Sequence, residues 1–255
     1  MSHDPKEICL LGFHAVRARL RAAPQTISRI VFDGQRKDSR LNGLLKLAEQ
    51  AGIKSVSEST LVMDWLAKQQ RHQGVLAFAQ RREQPYSLSD LLEQLEGLKS
   101  ADQWLVVLDG VTDPHNLGAI LRSADGAGAA GVIAPRDKSA PLNDVAARVS
   151  AGASDHLPYV QVTNLARAIE ELQQADYQVI GLAGEADKSI YATDLTGRIA
   201  LVFGAEGEGM RRLTRERCDV LVRLPMQGSV ESLNVSVACG VVCYEALRQR
   251  SKPTK

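Results

Sequence analysis

Hydrophobic positions recur along this chain at two spacings, and the rhythm changes near residue 104. Before it, GFHAVRARLRAA (12–23), RLNGLLKLAEQAG (40–52, closed by Gly52) and STLVMDWLAKQ (59–69) place apolar residues at helical intervals. SRIVFD (28–33), IKSVS (53–57) and GVLAFAQ (74–80) read as strands between and after them. The pattern predicts a compact α/β module over residues 1–80. RREQPYSLSDLLEQLEGLKSADQ follows, with charge, a proline and one short helix capped at Ser87 or Ser89, and residues 81–101 read as a linker.

From Trp104 the units lengthen. WLVVLD (104–109), GVIA (131–134), HLPYV (156–160), QVIGLA (178–183), IALVFG (199–204) and DVLVRL (219–224) are predicted strands. Several are apolar throughout, as strands of a parallel sheet covered on both faces are. Helices are predicted at Pro114 to Gly126, Leu142 to Ser150, Leu165 to Gln174, briefly after Gly209, and from about Asn234 to Arg250. The expectation is an α/β protein with a second domain over 102–255. No internal repeat interrupts the series.

Charge changes the picture more than composition does. Residues 1–82 hold 14 Lys+Arg against 7 Asp+Glu, whereas residues 83–255 hold 17 against 23. A basic first module suits a polyanion such as RNA, while a solvated basic face is the plainer reading. No run of about 18 apolar residues is present, and the first twenty residues lack the basic, apolar and small segments of a signal peptide. Cytoplasm is therefore the expected location, with no membrane partner. Cys9, Cys218, Cys239 and Cys243 form no CxxC pair, and the five histidines show no ligand spacing, so no metal is expected.

Three stretches carry candidate chemistry. In DGVTDPHNLGAILRSADGAG, Asp113 before Pro114 is a helix start, since proline's missing N–H costs nothing at the first helical position. Leu117, Ile120, Leu121 and Ala124 form a buried stripe, and Arg122 falls off it. Alone, Arg122 reads as a surface arginine paired with Asp125; Gly118 one turn before it would leave room for a ligand. Asn116 alone reads as an early-turn residue bonded to backbone. In FGAEGEGM, a glycine-rich turn follows a strand but carries Glu206 and Glu208 and no lysine. Phosphate cradles use backbone N–H groups and a cation, so these carboxylates argue for a neutral or cationic, hydroxyl-rich ligand. In SLNVSVACGVVC, Ser232 and Asn234 flank the last helix start, where capping competes with a functional role. The small residues Ser236, Ala238, Cys239, Gly240 and Cys243 let another backbone approach that helix.

NLGAILR (116–122), FGAEGEGM (203–210) and SLNVSVA (232–238) together resemble the three motifs of the SpoU/TrmH family of RNA ribose 2′-O-methyltransferases, within the SPOUT superfamily. AGEAD (183–187) and GAEGEGMRRLTRERCD are similar to the branch that methylates a guanosine ribose in the peptidyl-transferase region of bacterial 23S rRNA. The resemblance spans essentially the whole chain. It implies a SPOUT methyltransferase domain with a trefoil knot in its parallel sheet, preceded by a small L30e-like RNA-binding domain. It also implies a homodimer, S-adenosyl-L-methionine as cofactor, and rRNA or a large-subunit assembly particle as partner.

On the motif match, Asn116, Arg122, Glu206, Ser232 and Asn234 fall at active-site positions, and Gly204, Leu224 and Leu233 at cofactor contacts, with Ala183, Gly209 and Met226 nearby. A guanidinium has no acceptor, so Arg122 is expected to grip an RNA phosphate, with that phosphate or a carboxylate taking the proton. Arg17, Arg19, Arg21, Arg36, Lys37, Arg40, Arg81 and Arg82 are the expected phosphate contacts of the first module. A tRNA-directed member and a non-catalytic RNA-binding member of the same family are the rival readings. A nucleotide-dependent oxidoreductase is disfavoured because G-x-G-x-x-G is missing.

Overall fold

The computed structural model describes residues 7–36, 38–70, 72–80, 87–96, 98 and 103–251. Contacts divide the chain into Met1–Glu83 and Gln84–Lys255.

In the first unit, β1 (Glu7–Leu11), α1 (Gly12–Ala22), β2 (Ile27–Asp33), α2 (Ser39–Gln50), β3 (Ser55–Glu58), α3 (Thr60–Leu66) and β4 (Val75–Gln80) follow in order. The sheet runs β1-β4-β2-β3, with β4 antiparallel to β1 and β2, and β2 parallel to β3. Alternation along β4 sorts the core: Val75, Ala77 and Ala79 pack with α1 and α2, whereas Leu76 and Phe78 pack with Met63 and Ala67 around α3. Strand β1 was not anticipated. EICLL is too short to show a period, and its pairing with β4 (Ile8 opposite Ala79, Leu10 opposite Ala77) is what makes it a strand.

Arg19 also departs from expectation. It is buried, and its guanidinium donates to Thr26 Oγ1 at 3.2 Å and to the Gln80 carbonyl at 3.0 Å. It ties α1 to the end of β4 and is not exposed to meet a phosphate. Lys37, Arg81 and Arg82 lie outside the described residues.

The second unit contains α4 (Leu88–Leu95), β5 (Trp104–Asp109), α5 (Pro114–Gly126), β6 (Gly131–Pro135), α6 (Asp144–Val149), β7 (Tyr159–Val162), α7 (Leu165–Gln174), β8 (Gln178–Leu182), β9 (Ile199–Gly204), α8 (Arg212–Arg217), β10 (Val220–Val222) and α9 (Val235–Arg250). Its six strands are all parallel, in the order β10-β8-β9-β5-β6-β7. Both faces are covered. Trp104, Val106 and Leu108 of β5 join a core with Leu117, Ile120 and Leu121 of α5 and Cys239, Val242 and Cys243 of α9. Leu105 and Val107 point the other way, into a core with α4 and α7.

The short helix expected within 81–101 is α4, and it does more than bridge. Ser87 closes a capping box with Asp90, and Leu88, Leu91 and Leu95 are buried in the second unit's core. Two predicted strands shorten at their ends. HLPYV begins as strand only at Tyr159, because Ala153–Asp155 forms a 3₁₀ turn before it. DVLVRL keeps three strand residues, because β10 is an edge strand with β8 as its one neighbour. Among the described residues, no helix is long and apolar enough to cross a membrane.

Candidate active site

Strands β10, β8 and β9 are adjacent and parallel, so the segments that leave them (223–233, 183–187 and 205–211) open at one carboxyl edge of the sheet. Such edges are where open parallel sheets bind ligands. The start of α5 belongs to the same edge, because it follows β5, the other neighbour of β9.

The loop after β9 folds back on itself. Ala205 N donates to Gly209 O at 3.0 Å, and Gly209 N returns a bond to Ala205 O at 2.9 Å. Gly207 and Gly209 hold φ values of +82° and +70°, the left-handed region that glycine enters without strain. A Cβ on Gly204 would sit 2.1 Å from the Gly209 carbonyl carbon and 2.2 Å from Met210 N. These glycines serve closure of the loop, and two of its amides are spent inside it.

Asp109 tethers the far end of this loop. It closes β5, its side chain is wholly buried, and it accepts from Arg211 N at 2.8 Å and Arg211 Nε at 2.5 Å. A buried carboxylate needs such partners, and here they fix the residue that follows GEGM. Neither residue belongs to the three motifs. The available signal was a charged residue ending an otherwise apolar strand, WLVVLD.

Three of the predicted residues meet. Asn234 Nδ2 lies 3.1 Å from Asn116 Oδ1 and 3.3 Å from Glu206 Oε2. The Oδ1 of the same side chain accepts from Ser236 N at 2.9 Å and from Ser236 Oγ at 2.6 Å, capping α9. Capping and site roles are thus shared by one amide: the oxygen starts the helix and the nitrogen joins the helix to α5 and to the loop. Asn116 occupies the first turn of α5, whose N-cap Asp113 accepts from His115 N at 2.8 Å.

The remaining predicted residues do not bond to this cluster. Arg122 is exposed on α5 and makes no hydrogen bond or ion pair with the described residues. Its expected partner Asp125 instead pairs with His156 at 2.8 Å. Gly118 does not leave room for a ligand. A Cβ there would come within 2.6 Å of both Ala146 O and Val149 Cβ, so the glycine lets α6 pack against α5. Ser232 and Leu233 are exposed, while Leu224 and Met226 are half-buried on the segment after β10. Ala183, also half-buried, donates its N–H to Val222 O at 2.9 Å, which joins the first cofactor segment to β10.

Part of the small face of α9 is used within the unit. Cys239 and Cys243 are buried in the core, and a Cβ on Gly240 would lie 3.6 Å from Ser123 Oγ of α5. Burial pushes the Cys218 thiol up to about 12, with the charges of Asp219 and Asp109 adding to it, and the Cys9 thiol to about 11. Neither is a thiolate nucleophile at neutral pH. Among the described residues no cluster of three His, Cys, Asp or Glu could hold a metal ion. The edge therefore offers amide, carboxylate and guanidinium groups, suited to orienting hydroxyls and an anion.

Comparison with known proteins agrees with this arrangement. The SpoU rRNA Methylase family model matches residues 103–244, and a model described as RNA 2′-O ribose methyltransferase substrate binding matches residues 9–85. A Ralstonia nicotianae protein named 23S rRNA (guanosine-2′-O-)-methyltransferase RlmB is 53% identical over 246 residues, covering 96% of this chain and 97% of its own. The Escherichia coli K12 protein of the same name is 47% identical, covering 95% and 98%. The crystal structure of the SpoU methyltransferase AviRb from Streptomyces viridochromogenes, in complex with AdoMet, superposes with a TM-score of 0.70 at 26% identity, covering 96% and 91%. With one model matching more than half of its residues and relatives near half identity along almost its whole length, the chain belongs to the SpoU rRNA methylase family.

Proposed function

We propose that the protein transfers a methyl group from S-adenosyl-L-methionine to the ribose 2′-oxygen of a guanosine in 23S rRNA, giving 2′-O-methylguanosine and S-adenosylhomocysteine. The observation that carries this reading is the contact of Asn234 with both Asn116 and Glu206, one residue from each family motif. The names of relatives at about half identity supply the substrate.

The carboxyl edge fits the cofactor by its donor set. Glu206 and Glu208 with no lysine on one loop, and half-buried Leu224 and Met226 on the segment after β10, suit a sulfonium cation carrying an apolar ring and hydroxyls, and the carboxylates repel a phosphate. Gly204, Gly209, Ala183, Leu224, Met226 and Leu233 are the residues that would hold it. The bound cofactor supplies an electrophilic methyl group.

The chain's own groups then act on the ribose. Glu206 and the Asn234 amide orient its hydroxyls, with Ser232 beside them, and Asn116 holds the Asn234 amide in place. Arg122 grips the adjoining RNA phosphate and stabilises the developing alkoxide. A guanidinium cannot accept the proton, which passes to that phosphate or to Glu206.

Three wider features belong to the same proposal. The sheet is knotted as a deep trefoil, against the usual topology rules. The course of the chain supports it: from central β9 it reaches β10 beyond β8, then returns as α9 to the face carrying α5. Two copies form a homodimer, supported by Val237, Val241 and Tyr244 exposed on one face of α9. The first unit is L30e-like and binds RNA; residues 1–80 and 102–255 are the two domains, acting in the cytoplasm on rRNA or an assembling particle.

Incubating the protein with S-adenosylmethionine and unmodified 23S rRNA should produce one 2′-O-methylguanosine, located by mapping the modified positions. Arg122→Lys keeps the charge but loses the planar fork, and turnover should fall about a hundredfold. Near-normal turnover in that variant would remove Arg122 from the mechanism. Methyl transfer to tRNA instead of rRNA would favour the tRNA-directed reading.

A further inference from the structure

The first unit contains a cavity of about 200 Å³ lined by Phe13, Arg17, Ser39, Arg40, Gly43 and Leu44. That volume is many times what one ordered water requires. Its walls come from α1, which carries Phe13 and Arg17, and from α2, which carries the other four. Phe13 is buried, and the guanidinium groups of Arg36 and Arg40 each stack 4.7 Å from its ring centre. Arg36 is further held by Asp38 and by the Gln73 carbonyl, so it is fixed outside the cavity wall. Asp38 is itself occupied as the N-cap of α2, accepting from Leu41 N at 2.9 Å. The exposed cations on the cavity are Arg17 and Arg40.

Gly43 is the telling residue. It lies inside α2 with an ordinary helical backbone, and a Cβ there would meet nothing within 4 Å. Neither conformation nor packing requires glycine, and alanine is the better helix former. The glycine costs helix stability and gains no contact within the fold. What it does is keep one wall of the cavity bare.

We infer that this cavity binds one phosphodiester-linked nucleotide of single-stranded RNA. Arg17 and Arg40 take the phosphate, the Ser39 hydroxyl adds a hydrogen bond, and the sugar passes over Gly43. This rests on the reading of the first unit as the RNA-binding domain, and it assigns that role to a specific place. Stability and binding are opposed at Gly43, as they often are where a site needs a locally unfavourable residue.

The test uses the full-length protein, a fluorescein-labelled single-stranded oligouridine read by anisotropy, and calorimetric titration with S-adenosylmethionine. Gly43→Ala should raise Tm. Gly43→Leu should keep Tm at or above the parent value, leave cofactor affinity unchanged, and weaken RNA binding about tenfold, the worth of roughly one charge-assisted contact. The double change Arg17→Ala with Arg40→Ala should flatten the slope of log K against log salt by about 0.7, the worth of one neutralised phosphate on a single strand. Unaltered RNA affinity in Gly43→Leu, or an unaltered salt slope in the arginine pair, overturns the inference. So does competition by inorganic phosphate with no loss of RNA binding in the variants, which would mark a site for small anions. If the parent protein fails to methylate 23S rRNA yet loses RNA binding when the cavity is filled, the proposed reaction falls and this inference stands.

Discussion

Gly204 and Gly43 are both glycines beside a proposed site, one at the carboxyl edge of the second unit and one on α2 of the first. Around Gly204 the backbone of Gly209 and Met210 closes to a distance that excludes any side chain, and around Gly43 there is empty space. The difference extends to the polar groups. At the carboxyl edge Asn116, Asn234 and Glu206 are bonded to one another, and buried Asp109 holds Arg211. On the first unit, Arg17 and Arg40 border the cavity from exposed positions on two helices, with Arg40 stacked on the Phe13 ring. Methyl transfer needs groups held before the substrate arrives, because reorganisation would be added to the barrier.

The sharpest contrast is therefore expected from adding one methyl group at each glycine. Gly204→Ala forces the 205–209 hairpin open and should cost about 3 kcal/mol or more, the upper range for overpacking, with loss of cofactor binding in the same titration. Gly43→Ala should move stability in the opposite direction by about 1 kcal/mol. Equal thermal shifts of the same sign would dissolve the distinction between the two sites.

Arg211→Ala tests whether the loop after β9 depends on its tether. It strips the buried Asp109 carboxylate of its charged partner and should cost about 3 kcal/mol, the low end for such a loss because Arg211 is itself half exposed. Denaturant titration measures the cost, and Arg211→Lys should recover part of it. A near-neutral Arg211→Ala would show the loop closed by its own hairpin alone.

Asn234→Asp is the smallest change in stability and separates the two roles of one side chain. Aspartate caps as well as asparagine, so Tm should hold. The Nδ2 donor is lost, and a second carboxylate is set against Glu206. Turnover should fall about ten- to hundredfold, the value of one hydrogen bond to a charged group, with cofactor affinity little changed. A large fall in Tm would mean that the Asn116 contact is structural.

Much of the fold was legible along the chain. α5 and α7 occur with the boundaries their periodicity predicted, because Asp113-Pro114 and Asn164 supply local start signals. Among the elements that escaped or changed length, β1 and β10 depend for their existence or limits on a neighbouring strand, and β7 starts late behind a 3₁₀ turn. The helix α4 was foreseen, but its burial was not, since an amphipathic helix in a charged stretch reads the same whether it bridges or packs. Arg19 and Gly118 misled for a related reason. A lone arginine suggests solvent and a lone glycine suggests room, whereas one is an internal strut and the other a helix contact.

The amino-acid order by itself determined the elements, the basic first module and the three motifs, because period, capping and charge balance are properties of adjacent residues. Only the tertiary structure decided that Asn116 and Asn234, 118 residues apart, share a hydrogen bond, that Asp109 secures the loop after β9, and that Gly43 borders a cavity. Those contacts depend on strand order and helix packing. Both are set by the free energy of the whole core and leave no periodic trace in the local sequence.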